Sequence, residues 1–194
     1  MESIVSKAAI FAAKAHDGQR RKAGGGAYIL HPLEAAVIVA SLTDDEDVIA
    51  AALLHDTIED TDVTAEQLLA EFGPVVTDLV LHETEDKHRE MSPVDSWKMR
   101  KQATLDALEA SGDRRVLCMW MGDKLSNLRS MRREYDGPAF FDHFNQKDPA
   151  QHAWYYREIL RLLAPLGDTD AYREMAAIVD ELFGRYAQTD GAAD

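Results

Sequence analysis

The stretch "AALLHDTIEDT", residues 51–61, places one histidine and three carboxylates behind an apolar run. An unpaired carboxylate in an apolar interior is normally neutralised, paired or bound to a metal. On a helix, residues four apart share a face, so His55 would lie beside Glu59, and Asp56 beside Asp60. Imidazole and carboxylate groups bind divalent cations, and further carboxylates can orient a water molecule. The pattern therefore indicates either a metal-dependent site or a helix end whose charges face solvent.

Two other stretches carry residues of the same chemical types. "YILHP" puts His31 just before a predicted helix, and "MGDKLSNLRS" places Asp123 and Asn127 four apart on one helix face. Taken singly, His31 fits a capped or buried histidine, and the pair in the second stretch fits a solvated face. Their occurrence together with residues 51–61 favours one shared polar site.

Basic residues are concentrated in two places, although the chain has a formal net charge of -14. The first is "QRRK" at residues 19–22. The second consists of Lys124, Arg129, Arg132 and Arg133. Arginine makes bidentate contacts with phosphate and stacks on bases, so these groups are where an anionic ligand is expected to bind. The alternative is a solubilising surface and a cation-rich helix end.

Length and composition limit the possible classes of protein. A chain of 194 residues with 46% hydrophobic content fits one domain with a sizeable core. An excess of acidic over basic residues, 35 against 21, argues against duplex nucleic acid or an anionic membrane as a partner. The single cysteine, Cys118, excludes an intramolecular disulfide and predicts a buried thiol in a cytoplasmic protein. No apolar run approaches the roughly 18 residues that span a bilayer, and we expect no export signal.

The elements that must position these residues are predicted to be helices. Apolar residues recur at three- and four-residue steps from residue 3 to about residue 16, and no run alternates with period two over strand length. "TAEQ" at 64–67 fits a capping box, and Gly73 followed by Pro74 fits a helix stop and a new start. Further helices are predicted over residues 33–42, 43–60, 92–112, 114–135, 149–166 and 170–188. The prediction is one all-α domain over residues 1–188 and a disordered tail at 189–194.

Four ordered blocks then point to a known family. They are "HDGQRRK" with "YILHP", "AALLHDTIEDT", "FGPVVTDLV" and "MGDKLSNLRSM", over roughly residues 10–165. Their order and spacing resemble the metal-dependent hydrolase domain of Rel/SpoT alarmone enzymes, whose fold is an HD-domain helical bundle. The short length, without a synthetase half, is similar to that of stand-alone small alarmone hydrolases.

The resemblance implies which residues carry the reaction. It implies that Glu59 and Asp60 activate and orient the attacking water. It also implies one manganese-type divalent ion, with Fe²⁺ or Zn²⁺ as alternatives. The implied ligands are His31, His55, Asp56 and Asp123.

The resemblance and the charge pattern together predict the substrate-binding residues. In the family, the segment that matches Arg21 and Lys22 lies against the base, and the residue that matches Asn127 contacts the nucleoside. Ala27 stands where the family usually has proline, so contacts to the base are expected to differ in this loop. The full predicted set is Arg20, Arg21, Lys22, Tyr28, Lys124, Asn127, Arg129 and Tyr156.

The implied reaction removes the 3'-pyrophosphate from an alarmone such as (p)ppGpp, with its adenosine counterpart (p)ppApp as an alternative. The products would be pyrophosphate and a nucleoside 5'-di- or triphosphate. A second interpretation keeps the metal site but changes the substrate to a nucleoside monophosphate, a cyclic nucleotide or NADPH. A third, from another class, is a catalytically silent nucleotide sensor. It is less favoured because no ligand or water-activating position has been lost.

Overall fold

The structure is a computed structural model that describes residues 3–21, 25–85 and 91–186. Within these residues every regular element is a helix, apart from an isolated bridge between Arg20 and Ala27. The α-helices are α1 (Ile4–Ala15), α2 (Leu30–Ala40), α3 (Glu46–Leu54), α4 (Thr57–Asp60), α5 (Ala65–Leu81), α6 (Trp97–Ser111), α7 (Arg114–Glu134), α8 (Pro149–Leu162) and α9 (Asp170–Phe183). Short 3-10 helices cover Pro138–His143 and Ala164–Leu166. The all-α prediction is confirmed.

Several helix ends follow signals in the sequence. The capping box before α5 is present, since Thr64 Oγ1 accepts from the Gln67 amide at 3.3 Å and Gln67 Oε1 accepts from the Thr64 amide at 2.9 Å. Gly73 interrupts α5 with φ 81° and ψ 176°, directly before Pro74. Gly112 ends α6 in the left-handed region, at φ 58°. These residues carry their own backbone preferences, which is why their effect could be predicted.

The helix predicted over residues 43–60 is wrong in one respect, because it is broken at His55 and Asp56. Thr57 Oγ1 donates to the Leu54 carbonyl at 2.7 Å, and the His55 ring bonds to the Ala52 carbonyl through Nδ1 at 2.8 Å. In a continuous helix these two carbonyls would accept from backbone amides one turn further on. Side chains that take such carbonyls compete with the helix. The break separates α3 from α4 at the residues of chemical interest.

Helix α7 passes through the middle of the bundle and contacts α2, α3, α6 and α9. Its residues Trp120, Met121 and Leu125 are fully buried, and the Cys118 thiol is buried as expected. At Gly122 the backbones of α7 and α2 come very close, since an added Cβ would lie 2.7 Å from the Ala35 carbonyl oxygen. This close approach brings the start of α2 next to the middle of α7.

Helix α3 packs against α1, α2 and α5, and its last turn, residues 51–54, is buried. The prediction that His31 lies just before a helix is wrong, because α2 begins at Leu30 and His31 lies in its first turn.

Among the described residues, no helix combines the length and apolar character needed to cross a bilayer. The predicted tail at 189–194 lies outside the described residues.

Candidate metal centre and adjoining cavity

The predicted metal ligands converge from three parts of the chain. His31 Nε2 lies 3.0 Å from Asp123 Oδ1, and His55 Nε2 lies 3.1 Å from Asp56 Oδ2. The two Nε2 atoms are 3.2 Å apart. Ligand atoms of His31, His55 and Asp123 all lie within 4.8 Å of one another, and all three residues are buried. α2, the α3–α4 break and α7 therefore present imidazole and carboxylate groups to one point.

Each histidine ring turns Nε2 toward this point, because a hydrogen bond on the other side of the ring holds Nδ1. His55 Nδ1 lies 2.8 Å from the Ala52 carbonyl, which can only accept, so this nitrogen carries the proton. His31 Nδ1 lies 2.9 Å from Ser126 Oγ, which itself donates to Glu34 Oε2 at 2.8 Å. Both rings thus turn Nε2 toward this point, the nitrogen that binds a metal once it is deprotonated. Burial opposes a charge on His55, but Asp56 and Asp123 raise the pKa of its ring well above the usual value, so a cation displaces a proton from this Nε2.

The charges around this point favour a positive group. Burial opposes ionisation of Asp56, but the protonated imidazole of His55 outweighs it and holds the pKa of the Asp56 carboxyl below its usual range. Burial also opposes ionisation of Asp123, and the ammonium of Lys124 holds the pKa of this carboxyl well below normal. Burial lowers the pKa of His31, which keeps this ring neutral. The buried carboxylate of Asp123, the partly buried carboxylate of Asp56 and the two imidazoles fit a divalent cation by ligand type.

Tyr28 ties the centre to the acids of α4. Its hydroxyl lies 2.6 Å from Asp56 Oδ2 and 3.0 Å from Asp60 Oδ2. Burial and then the charges of Asp56 and Asp60 raise the pKa of Tyr28 far above its usual value, so the phenol stays protonated. The ring stacks on His16 with centroids 4.8 Å apart. One phenolic proton is thus shared between a candidate metal ligand and the carboxylate that is predicted to orient the attacking water.

The centre opens into a larger cavity. A polar pocket of about 190 Å³ contains His31, Asp56 and Asp123, and an adjoining cavity of about 440 Å³ shares several of its walls. The larger volume lies within the range of small-molecule sites in proteins, about 300–1,000 Å³. Its walls include cationic and aromatic side chains: Arg21, Arg100, Lys101, Lys124, Trp97, Phe140, Phe144, Tyr155 and Tyr156. A ligand with both an aromatic ring and negative charge fits such walls.

Comparison with known families decides the classification. A sequence model of the HD domain matches residues 8–170. The chain belongs to the HD domain family. This HD domain is also similar to long curated proteins. It is 33% identical over 192 residues to "GTP pyrophosphokinase rsh" of Brucella suis, covering 97% of this chain and 23% of that protein.

A second curated relative, "Probable GTP pyrophosphokinase" of Mycobacterium leprae, is 39% identical over 165 residues, which is 84% of this chain and 19% of the relative. The HD domain thus spans about a quarter or less of these relatives. Two solved structures match it more evenly. One, described as a metazoan ortholog of SpoT that hydrolyses ppGpp, has a TM-score of 0.73 at 26% identity and covers 96% of this chain and 97% of its own. The other, from Listeria monocytogenes, has a TM-score of 0.68 at 30% identity and covers 82% and 98%.

Most predicted substrate-binding residues line the cavity of the HD domain. Arg21 Nη2 donates to Asn127 Oδ1 at 2.8 Å, and Asn127 Nδ2 donates to Asp123 Oδ1 at 2.5 Å. Lys124 contacts Asp123 and lies 3.4 Å from Glu83 Oε1. The predicted residues found along the walls are Arg21, Tyr28, Glu59, Asp60, Lys124, Asn127 and Tyr156.

Two predicted residues lie elsewhere, and a third cannot be compared. Arg20 is exposed, donates to the Gly25 carbonyl at 3.1 Å and is not among the residues lining the two cavities. Arg129 makes hydrogen bonds of 2.9 and 2.6 Å to Glu174 and one of 3.2 Å to Glu34. It too is absent from the walls of both cavities. Lys22 lies outside the described residues. The cationic character of the cavity therefore comes in part from other side chains.

Sequence reasoning missed a group of charges at the end of α5 and the start of α6. Glu85 contacts both Arg100 and Lys101, the latter at 2.5 Å. Glu83 is buried next to Lys124, and burial raises the pKa of its carboxyl to about 7. These residues follow no spacing that separates them from ordinary surface charges. Only the fold brings them to the cavity of the HD domain.

Proposed function

We propose that this HD domain is a divalent-metal-dependent hydrolase that removes the 3'-pyrophosphate of an alarmone nucleotide. The observation that carries the proposal is that the candidate ligands His31, Asp56 and Asp123 line a polar pocket, which adjoins a cavity whose walls include cations and aromatic rings. The similarity to a structure described as a ppGpp-hydrolysing SpoT ortholog supports it. We further propose Mn²⁺ as the ion, because two imidazoles with two carboxylates suit it, with Fe²⁺ and Zn²⁺ as alternatives.

The proposed chemistry begins with the binding of the ion by His31, His55, Asp56 and Asp123. When bound, a divalent cation polarises phosphoryl oxygens and lowers the pKa of a water molecule. Glu59 lines the polar pocket next to these ligands and, in the proposal, accepts the proton of the attacking water. Asp60, held by the Tyr28 hydroxyl, orients that water.

Cationic side chains would bind the charged parts of the substrate. Lys124, beside Asp123, is proposed to contact the pyrophosphate that leaves. Arg21 and Asn127 are proposed to contact the base and the nucleoside. Tyr28 and Tyr156 line the same cavity and are proposed to contact the nucleotide as well. Cleavage of the ester bond at the 3' position then gives pyrophosphate and a nucleoside 5'-di- or triphosphate. Arg20, Lys22 and Arg129 stay sequence-based predictions.

The test is direct product analysis. The purified protein is incubated with Mn²⁺ and, in separate reactions, with ppGpp, pppGpp, ppApp, pppApp and NADPH, and the products are separated by anion exchange. We expect pyrophosphate from at least one alarmone and none from a His55→Ala variant. The relative rates would assign the base. Orthophosphate from NADPH would instead favour another HD-type phosphohydrolase, and tight alarmone binding without turnover would favour a sensor.

A further inference from the structure

The hydrogen-bond partners of His31 form a line that reaches a distant helix. Nδ1 of His31 lies 2.9 Å from Ser126 Oγ, and Ser126 Oγ donates to Glu34 Oε2 at 2.8 Å. The other oxygen of Glu34 accepts from Arg129 Nη1 at 3.2 Å. Arg129 also makes hydrogen bonds of 2.9 and 2.6 Å to Glu174 on α9. Side chains of α2, α7 and α9 are thus connected to a candidate metal ligand.

Proton counting gives the direction of each bond in this line. A guanidinium only donates and a carboxylate only accepts, so Ser126 must direct its single hydroxyl proton to Glu34. Ser126 Oγ then presents a lone pair to His31, and Nδ1 of His31 must carry the ring proton. Nε2 is left bare and faces the other ligands. The tautomer of His31 is therefore set by the carboxylate of Glu34, which is linked to the ring through two successive hydrogen bonds.

In the neutral form that binds a cation, His55 takes the same tautomer by a different route. Its Nδ1 faces the Ala52 carbonyl at 2.8 Å, and a backbone carbonyl cannot change from acceptor to donor. For His31 the partner is a hydroxyl, which can either accept or donate. The state of one ligand is fixed by the backbone, whereas the state of the other depends on what lies behind the hydroxyl.

We propose that Glu34 is a positioning residue, which acts through Ser126 to keep His31 in the tautomer that binds a cation. Arg129 determines which atoms donate in these hydrogen bonds, because its guanidinium can only donate and therefore needs an acceptor at position 34. Glu34 itself contacts neither the centre nor the proposed substrate. The inference rests on the metal site of the proposed function and is independent of its substrate.

The nearly isosteric substitution Glu34→Gln should reverse the donor and acceptor in each hydrogen bond between residue 34, Ser126 and His31. Because Arg129 needs an acceptor, the new amide would turn its oxygen to Arg129 and its NH₂ group to Ser126. The Ser126 hydroxyl would then donate to Nδ1 of His31, and the ring proton would move to Nε2. A proton at Nε2 blocks the ligand lone pair. We expect Mn²⁺ affinity to fall roughly 10- to 100-fold, the usual effect of losing such an orienting partner.

The experiment measures Mn²⁺ binding without nucleotide, by the electron paramagnetic resonance signal of free Mn²⁺. Glu34→Gln is compared with Ser126→Ala and with the double variant. Ser126→Ala should weaken binding less, because without the hydroxyl the ring keeps whichever tautomer the metal selects. Glu34→Gln should then have no further effect in the Ser126→Ala background. Glu109→Gln, which removes a surface ion pair of 3.0 Å with Arg161, is the matched control and should bind as the wild type does.

Two results from the variants would overturn the inference. One is an unchanged Mn²⁺ affinity in Glu34→Gln. The other is an equal loss in both backgrounds, which would indicate general loosening of the fold and not a signal through the hydroxyl. A wild-type protein that binds no Mn²⁺ would also overturn it, together with the proposed metal site. A wild type that binds Mn²⁺ but cleaves no alarmone would leave the inference standing and remove only the proposed substrate.

Discussion

Glu59 and Asp60 are neighbours in the chain but have different partners. Glu59 Oε2 accepts from the Glu85 amide at 3.3 Å, next to the group that holds Arg100 and Lys101. Asp60 instead shares the Tyr28 hydroxyl with Asp56, a candidate metal ligand. At the scale of the residue, two adjacent acids are therefore suited to two roles.

The first prediction concerns Glu59 as the proton acceptor. Glu59→Gln keeps the shape and the hydrogen bond from the Glu85 amide but removes the basic group. We expect kcat to fall roughly 10²- to 10⁴-fold, the usual contribution of a general base, while Mn²⁺ stoichiometry stays unchanged. Steady-state kinetics and metal analysis measure the two effects. Glu181→Gln, at an exposed position on α9, is the control, and full activity in Glu59→Gln would contradict the assignment.

The second prediction concerns the shared proton of Tyr28. Tyr28→Phe keeps the ring stacked on His16 but leaves Asp56 and Asp60 without this donor. Hydrogen bonds to charged groups contribute about 1.5–3 kcal/mol, so kcat should fall roughly 10- to 100-fold. Tyr172→Phe removes a hydroxyl bonded to the Leu160 carbonyl and serves as the matched control. Equal kcat values for the two variants would remove Tyr28 from the mechanism.

At the scale of the element, helix ends could be predicted where one residue determines the backbone. Thr64 caps α5, Gly73 interrupts it and Gly112 ends α6, as the backbone and side-chain preferences of these residues predict. The break between α3 and α4 could not be predicted, because it depends on Thr57 and His55 side chains taking carbonyls from the helix. Both residues are compatible with a continuous helix in sequence terms. Which hydrogen bond wins is decided by the tertiary surroundings.

The third prediction concerns the contact of α2 with α7 at Gly122. Gly122→Ala would place a methyl group 2.7 Å from the Ala35 carbonyl oxygen and from a methyl of Val39. Such overpacking destabilises by about 1–3 kcal/mol. Because these two helices carry His31 and Asp123, we also expect weaker Mn²⁺ binding. Thermal unfolding and Mn²⁺ titration test it, with Gly26→Ala, which enters open space, as the control.

At the scale of the whole molecule, the centre joins parts of the chain that are far apart in sequence. The candidate ligands were predicted because the resemblance names them, and their convergence is a property of the bundle. Glu34, Ser126 and Glu83 were not predicted, since nothing local marks a partner that lies dozens of residues away. Arg129 is a different case. The basic run around it predicted contact with a phosphate, whereas in the structure it pairs with the carboxylates of Glu34 and Glu174.

The fourth prediction is that metal binding stabilises the entire fold. A cation held by α2, the α3–α4 break and α7 binds the native state alone. Mn²⁺ at 100 times its Kd should raise the free energy of unfolding by about 2.7 kcal/mol. For a domain of this size that is a rise in Tm of about 5–10 °C, reversed by a chelator. The rise should be lost in His55→Ala and kept in His82→Ala, an exposed histidine near Asp78, and a rise in both variants would show that Mn²⁺ stabilises from another site.

The break after α3 also has a consequence for motion. A helix of four residues is far too short to persist by itself, and α4 is held partly by Gln19, whose side chain donates to the Asp60 carbonyl at 2.8 Å. Its amides should therefore exchange with solvent through local opening, at a lower free energy than those of the buried α3. We therefore expect Glu59 and Asp60 to fluctuate more than His55, which is buried in the core. A rigid candidate ligand and two more mobile acids would then lie within six residues of sequence.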